Sequence, residues 1–328
     1  MRRRDVMAMS VGAIVASAFG VQTLGQALAA TSAAEDEALS RWYDRERRFV
    51  ATRFGRIAYV ERGTGPVALF LHGFPLSSFQ WRGVIEQLSG KRRCVAPDAM
   101  GLGYTEVAAG QSLTPGAQAD MLIALLESLA IDRVDLIAND SGGAIAQLFL
   151  SRHPERVRTL LLTNCDVEID SPPAALLPFI KLARAGLYPE HCLEPWLKDK
   201  ALARSRTGLG GMCYTDPAYP TDAAIEQYLR PVVASAGRKA LVNRYLVALG
   251  TNALEGLEPL LGVCMVPTRI VWGMADTIFS KDDPEYLAEI LLRVTGIRRI
   301  PEGKLFFPEQ FPSVIAAEAR VLWSQAGS

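Results

Sequence analysis

"LIANDSGGAIAQ", residues 136–147, is the stretch on which the fold turns. Apolar residues run into Asn139-Asp140-Ser141-Gly142-Gly143, and an apolar pattern of helical period follows. A strand, a sharp glycine-rich turn and a helix form the setting in which many hydrolytic folds display a nucleophile. Two adjacent side chains, Asp140 and Ser141, compete for that role. A carboxylate there makes an ester at a carbon bearing a leaving group, whereas a serine transfers acyl groups.

On either side of this stretch the chain alternates strand and helix. "VALFLHG" (67–73) and "RCVAPD" (93–98) are short, continuous apolar runs, as strands buried on both faces of a parallel sheet require. Between them "SSFQWRGVIEQLSG" has helical periodicity, a Ser start and a Gly stop. An opening hairpin, "RFVATRFGRIAYVERG", precedes these, with Gly55 at its turn. A helix in "TPGAQADMLIALLESLA", the strand "VDLIAN", a helix from Ser141 to His153 and the strand "TLLLTNC" follow. The alternation resumes with "TRIVWG" (268–273), the helix "PEYLAEILLRV", the strand "GIRRIP" and a last helix in "SVIAAEARVLW". Such alternation demands an α/β doubly wound, mostly parallel sheet. Residues 167–263 interrupt it with helical stretches rich in aromatics, among them Phe179, Tyr188, Trp196 and Tyr245. A helical insertion there sits over the carboxyl edge of the sheet, where such folds bind ligands. It acts as a lid over an apolar cleft, although most of its aromatics pack its own interior.

Composition narrows the function. The 328 residues hold 35 basic and 35 acidic side chains and are 49% hydrophobic, so a large core is available and no basic surplus points to nucleic acid. Residues 1–30 combine an arginine cluster, a mildly apolar Ala-, Gly- and Ser-rich run and the small-residue site Ala27-Leu28-Ala29. They predict a twin-arginine-like export signal, hence a periplasmic or secreted protein with no stable membrane insertion after cleavage. Cys94, Cys165, Cys192, Cys213 and Cys264 show no CxxC and no metal-ligand spacing with histidine. No metal or cofactor is expected; a disulfide between Cys192 and Cys213 is left open, as is the oligomeric state.

Four stretches in order, "LHGFP" (71–75), "APDAMGLGYTE" (96–106), "ANDSGG" (138–143) and "WGMADTIF" (272–279), resemble the α/β-hydrolases with a helical cap. The resemblance covers about 275 residues and implies an eight-stranded sheet with the cap inserted after strand 6. It divides the chain into a core of residues 45–166 and 264–328 and a cap of 167–263. In that family the elbow reads small–any–nucleophile–any–small–small. Asp140 as nucleophile places Ala138, Gly142 and Gly143 at the small positions; Ser141 places Asn139 at one. The pattern selects Asp140 and resembles the haloalkane dehalogenase, fluoroacetate dehalogenase and epoxide hydrolase branch. There the carboxylate attacks carbon to form an alkyl-enzyme ester, which a histidine-activated water cleaves. The implied substrate is a small apolar organic halide, epoxide or ester. The resemblance also implies oxyanion-binding N–H groups at Phe74 and Ser141, a cis Phe74-Pro75 bond, and Asp276 as the catalytic acid. Asp166 and Asn164 are the alternative acid position.

One element of the pattern is missing. The family's histidine sits in a phrase resembling "PGAGHFPQEERP", and "PEGKLFFPEQFP" (301–312) aligns with it without a gap, placing Leu305 at the histidine. The chain has three histidines, His72, His153 and His191. His72 is expected to be structural and His153 to lie at the surface or cap a helix. His191, Lys304 and Glu309 are the candidate replacement bases. Without a base, Asp140 leaves open a hydrolase with an unrecognised base, a binding or single-turnover protein, or a lyase or isomerase using Asp140 as general base.

Overall fold

The computed structural model describes residue 34 and residues 36–327, so the export-signal reading of residues 1–30 lies outside the described residues. The strands are β1 (Arg48–Thr52), β2 (Gly55–Arg62), β3 (Val67–Leu71), β4 (Arg93–Pro97), β5 (Glu106–Val107), β6 (Val134–Asn139), β7 (Val157–Thr163), β8 (Thr268–Gly273) and β9 (Val294–Ile300). They form one sheet in the order β1-β2-β4-β3-β6-β7-β8-β9, with the two-residue β5 pairing β2 as a ninth strand beyond the eight expected. The β1–β2 and β2–β4 pairs are antiparallel and every pair from β4–β3 to β8–β9 is parallel. The runs that were continuously apolar in sequence are the central strands: every residue of β3 and β6 is buried. The edge strands β1 and β9 are mostly part-exposed, consistent with one open face each.

The order reverses between β3 and β6, which places the ends of these two strands at the topological switch point where open α/β sheets bind ligands. Phe74 follows β3 and Asp140 follows β6. Thr114 caps the helix Pro115–Ser128 by accepting from the Ala117 N–H, while Asp140 precedes the helix Ser141–Arg152 without making a side-chain cap. The helix after β8 is shorter than its apolar pattern suggested: it ends at Ile290, and Val294 already opens β9.

Between β7 and β8 the chain is helical from Ala174–Leu176 through Glu258–Leu261, its longest members being Asp222–Val233 and Ala236–Ala248. Tyr188, Trp196, Tyr214, Tyr228 and Tyr245 are buried, so most of its aromatics do build its interior. An N-terminal helix covers residues 36–46. Asp36 on this helix takes both Arg82 Nε (2.7 Å) and Nη2 (3.0 Å), and Thr221 of the cap donates to the same carboxylate (2.8 Å). Arg82 Nη1 also reaches Glu309 at 2.5 Å, tying helix, core and cap through one buried charge cluster. Among the described residues no helix is long and apolar enough to cross a membrane.

Candidate active site

Asp140 sits at φ 54°, ψ −134°, a backbone conformation that a residue with a side chain adopts only under strain. Its N–H donates to Asn164 O (2.7 Å), and its own carbonyl accepts from Gly143 N–H (2.8 Å), pinning the turn from both sides. The turn needs its glycines. A Cβ on Gly142 would lie 2.6 Å from Leu71 O and 2.7 Å from His72 O, and one on Gly143 would lie 2.2 Å from Cys165 Cβ. The local sequence therefore folds into an elbow that points the Asp140 side chain out over the sheet edge.

The carboxylate is anchored by main chain. Phe74 N–H donates to Asp140 Oδ2 at 2.6 Å, and Ser141 N–H hydrogen-bonds the same carboxylate. These are the two groups the sequence pattern named as oxyanion donors. The Phe74-Pro75 peptide that delivers the first of them is cis. Gly73 N–H donates to Gln80 Oε1 (2.9 Å), and Gln80 Nε2 donates to Asn139 Oδ1 (2.6 Å), so the loop carrying Phe74 is stapled to the strand carrying Asp140. Burial pushes the Asp140 carboxyl well above the usual carboxylate range, and the nearby Asp166 charge adds to this against the two N–H groups.

Ser141 is turned elsewhere. Its Oγ lies 3.2 Å from Tyr245 Oη of the cap, and no imidazole stands beside it. Asp276 is held as an acceptor by four groups: Asn164 Nδ2 at 2.8 Å, Ile278 N–H at 3.0 Å, and the N–H groups of Thr277 and Phe279. Asn164 is itself clamped to Gly273, accepting from its N–H (2.7 Å) and donating to its carbonyl (3.0 Å). Asp276 and Asn164 thus form one unit rather than rival acid positions. Leu305, where an imidazole would join Asp276 to Asp140, is buried and lines the cavity over Asp140, its carbonyl accepting from Asn139 Nδ2 (3.0 Å).

None of the candidate replacement bases reaches the site. His72 uses both ring nitrogens: Ala99 N–H donates to Nε2 (3.0 Å), so Nδ1 carries the proton and donates to Gly73 O (2.9 Å). Burial holds its pKa below the ordinary imidazole value. His153 caps the elbow helix, as expected. His191 is exposed, hydrogen-bonds Leu187 O through Nδ1 (3.0 Å), and is not a wall of the cavity. Lys304 Nζ is spent on Gly211 O (2.8 Å). Glu309 is buried against Arg82 and the Tyr214 hydroxyl (2.5 Å), a structural ion pair. The five cysteines are free, so Cys192 and Cys213 are not bridged.

Above Asp140 lies a cavity of about 810 Å³, its open mouth included. Phe179, Tyr188, Trp196 and Met212 of the cap roof it, and Phe74 and Leu305 flank its floor. Its few polar walls include Asp140, Asp166, Tyr188 and Thr277. Tyr188 is buried, and burial raises its hydroxyl well above the ordinary phenol value. Asp166, offered by the sequence as an alternative acid position, and Tyr188, read there as one aromatic of the cap, both line the cavity. The position of Asp166 just past a parallel strand was a usable signal, because such strand ends line the ligand cleft. Tyr188 offered none, because nothing local distinguishes a lining aromatic from a packed one.

Residues 66–311 match the family model described as the alpha/beta hydrolase fold, and the chain belongs to that family. Among curated proteins it is 29% identical over 293 residues to haloalkane dehalogenase 2 of Mycobacterium tuberculosis, a match spanning 85% of this chain and 92% of that one. Among solved structures it resembles a putative ancestral haloalkane dehalogenase (TM-score 0.70, 22% identity, 86% of this chain and 100% of that one). The epoxide hydrolase CorEH is similar to the same degree (TM-score 0.70, 21% identity, 85% and 98%). These structural likenesses establish the fold.

Proposed function

We propose that this α/β hydrolase is of the haloalkane dehalogenase and epoxide hydrolase type, with Asp140 attacking an electrophilic sp³ carbon of a small apolar halide, epoxide or ester to form an alkyl-enzyme ester. The observation that carries this reading is the anchoring of the carboxylate. One Asp140 oxygen is held at 2.6 Å by Phe74 N–H on a strained elbow beneath an apolar cavity. A carboxylate fixed in this way presents its other oxygen to carbon without reorganisation, and the oxygen that becomes the ester carbonyl already faces the Phe74 N–H. The apolar walls favour an uncharged ligand and exclude water from the attack.

The experiment is intact-mass analysis after incubation with a panel of alkyl halides and epoxides. An adduct on the peptide containing Asp140, or turnover that Asp140→Asn abolishes, supports the reading. Activity unchanged in Asp140→Asn and lost in Ser141→Ala refutes it. Leu305 favours a second reading, in which the ester forms once and persists because nothing activates its hydrolysis; a stoichiometric adduct stable over hours distinguishes it.

A further inference from the structure

We propose that Asp166 is the general base of this site, taking the proton of the water that cleaves the Asp140 ester in place of an imidazole at position 305; the inference rests on the Asp140 ester proposed above. Asp140 and Asp166 leave the carboxyl ends of adjacent parallel strands, Asn139 of β6 pairing Thr163 of β7. Such strands run about 4.8 Å apart. Asn164, between Thr163 and Asp166, accepts the Asp140 N–H, so the two loops are locked together. Both residues line the one cavity, and the charge of Asp166 acts on Asp140 more strongly than that of Asp276 does.

The other acidic residue is unsuited to the task. Asp276 accepts from four donors and is not a cavity wall, which leaves it a poor proton acceptor. Asp166 is held more lightly, by the Ser171 hydroxyl (3.0 Å) and its own N–H. Its surroundings are Asp140, Asp170, Asp283, the Cys165 thiol, Ser171 and the Tyr245 phenol of the cap, none of them a cation. Burial raises its carboxyl to about 6, so it is ionised at neutral pH and more basic than an exposed carboxylate.

In the step proposed, the water oxygen bonds to Cγ of the esterified Asp140 while one water proton passes to Asp166. Phe74 and Ser141 N–H groups hold the tetrahedral oxyanion. Collapse breaks the bond from Cγ to the alkyl oxygen, which takes the proton from Asp166 and leaves as the alcohol. Asp140, regenerated as the acid, returns its proton to solvent.

The test uses 1-bromobutane and 1,2-epoxyhexane as probes, with adduct formation and adduct loss followed separately by quenched-flow intact mass. Asp166→Asn is expected to be alkylated at a rate within about threefold of wild type and to lose the adduct at least about 10²-fold more slowly. Adduct loss in the wild type is expected to rise with pH through about 6, a limb absent from Asp166→Asn and partly restored in Asp166→Glu. Asp166→Asn releasing product at the wild-type rate, or with the same pH limb, overturns the proposal, as does a wild-type adduct as persistent as the variant's. Failure of both probes to alkylate the wild type at Asp140 overturns the ester reading itself and this proposal with it.

Discussion

Replacing Asp166 by Asn should stabilise the fold at pH 8 and leave it almost unchanged at pH 4. Burial lifts the Asp166 carboxyl from 3.8 in the unfolded chain to about 6 in the fold. A tenfold change in an ionisation equilibrium is worth about 1.4 kcal/mol, so this rise amounts to about 3 kcal/mol. An acid with a raised folded pKa favours the fold while protonated. The wild type therefore loses this stability as pH rises from about 3.8 and has lost all of it above about 6. Asn has no charge to desolvate and retains an acceptor for the Ser171 hydroxyl, which now lies 3.0 Å from Oδ1. The expected gain is about 3 kcal/mol at pH 8, or about 5 °C in Tm for a fold of roughly 290 residues. Urea unfolding followed by tryptophan fluorescence at both pH values measures it. A variant no more stable than wild type at pH 8, or equally stabilised at pH 4, refutes the desolvation argument. A gain in stability with a loss of ester hydrolysis is the trade expected of a functional group held in an unfavourable setting.

Leu305→His should shorten the lifetime of the Asp140 adduct by up to about 10²-fold at pH 8, because it puts a neutral imidazole into the wall of the cavity that Asp140 lines. An unchanged lifetime by intact mass would show that position 305 does not align with the family's histidine. Gly142→Ala should cost about 1–3 kcal/mol or more, since the added Cβ falls within 2.6 Å of Leu71 O; a native Tm in a thermal melt contradicts the packing argument. Arg82→Met strands the Asp36 and Glu309 carboxylates and should cost about 3–5 kcal/mol. Limited proteolysis should then cut within residues 36–46 before the core, and simultaneous cleavage would argue that the helix is held by other contacts.

Elements whose information is local could be read directly from the order of the residues. Central strands β3 and β6 were legible because burial on both faces demands unbroken apolar runs, and the elbow because its tight turn leaves no room for a Cβ at Gly142, against the Leu71 and His72 carbonyls, or at Gly143, against the Cys165 side chain. The absence of histidine at 305 is a fact of sequence alone. Boundaries were less legible: Leu291 and Leu292 continue an apolar helical pattern, but the helix ends at Ile290 so that Val294 can pair with Thr268 of β8. The roles within the site were decided only by tertiary structure, because they depend on partners far apart in the chain. Ser141 is diverted by Tyr245, 104 residues away, and Asp276 is claimed by Asn164, 112 residues away. His72 is silenced by Ala99, 27 residues away. A titratable side chain takes its function from the dielectric and hydrogen bonds around it, and those come together only when the sheet and its cap have packed. Hence the sequence could place Asp140 on its elbow, while only the fold could bring Asp166 beside it and leave Leu305 where a base was expected.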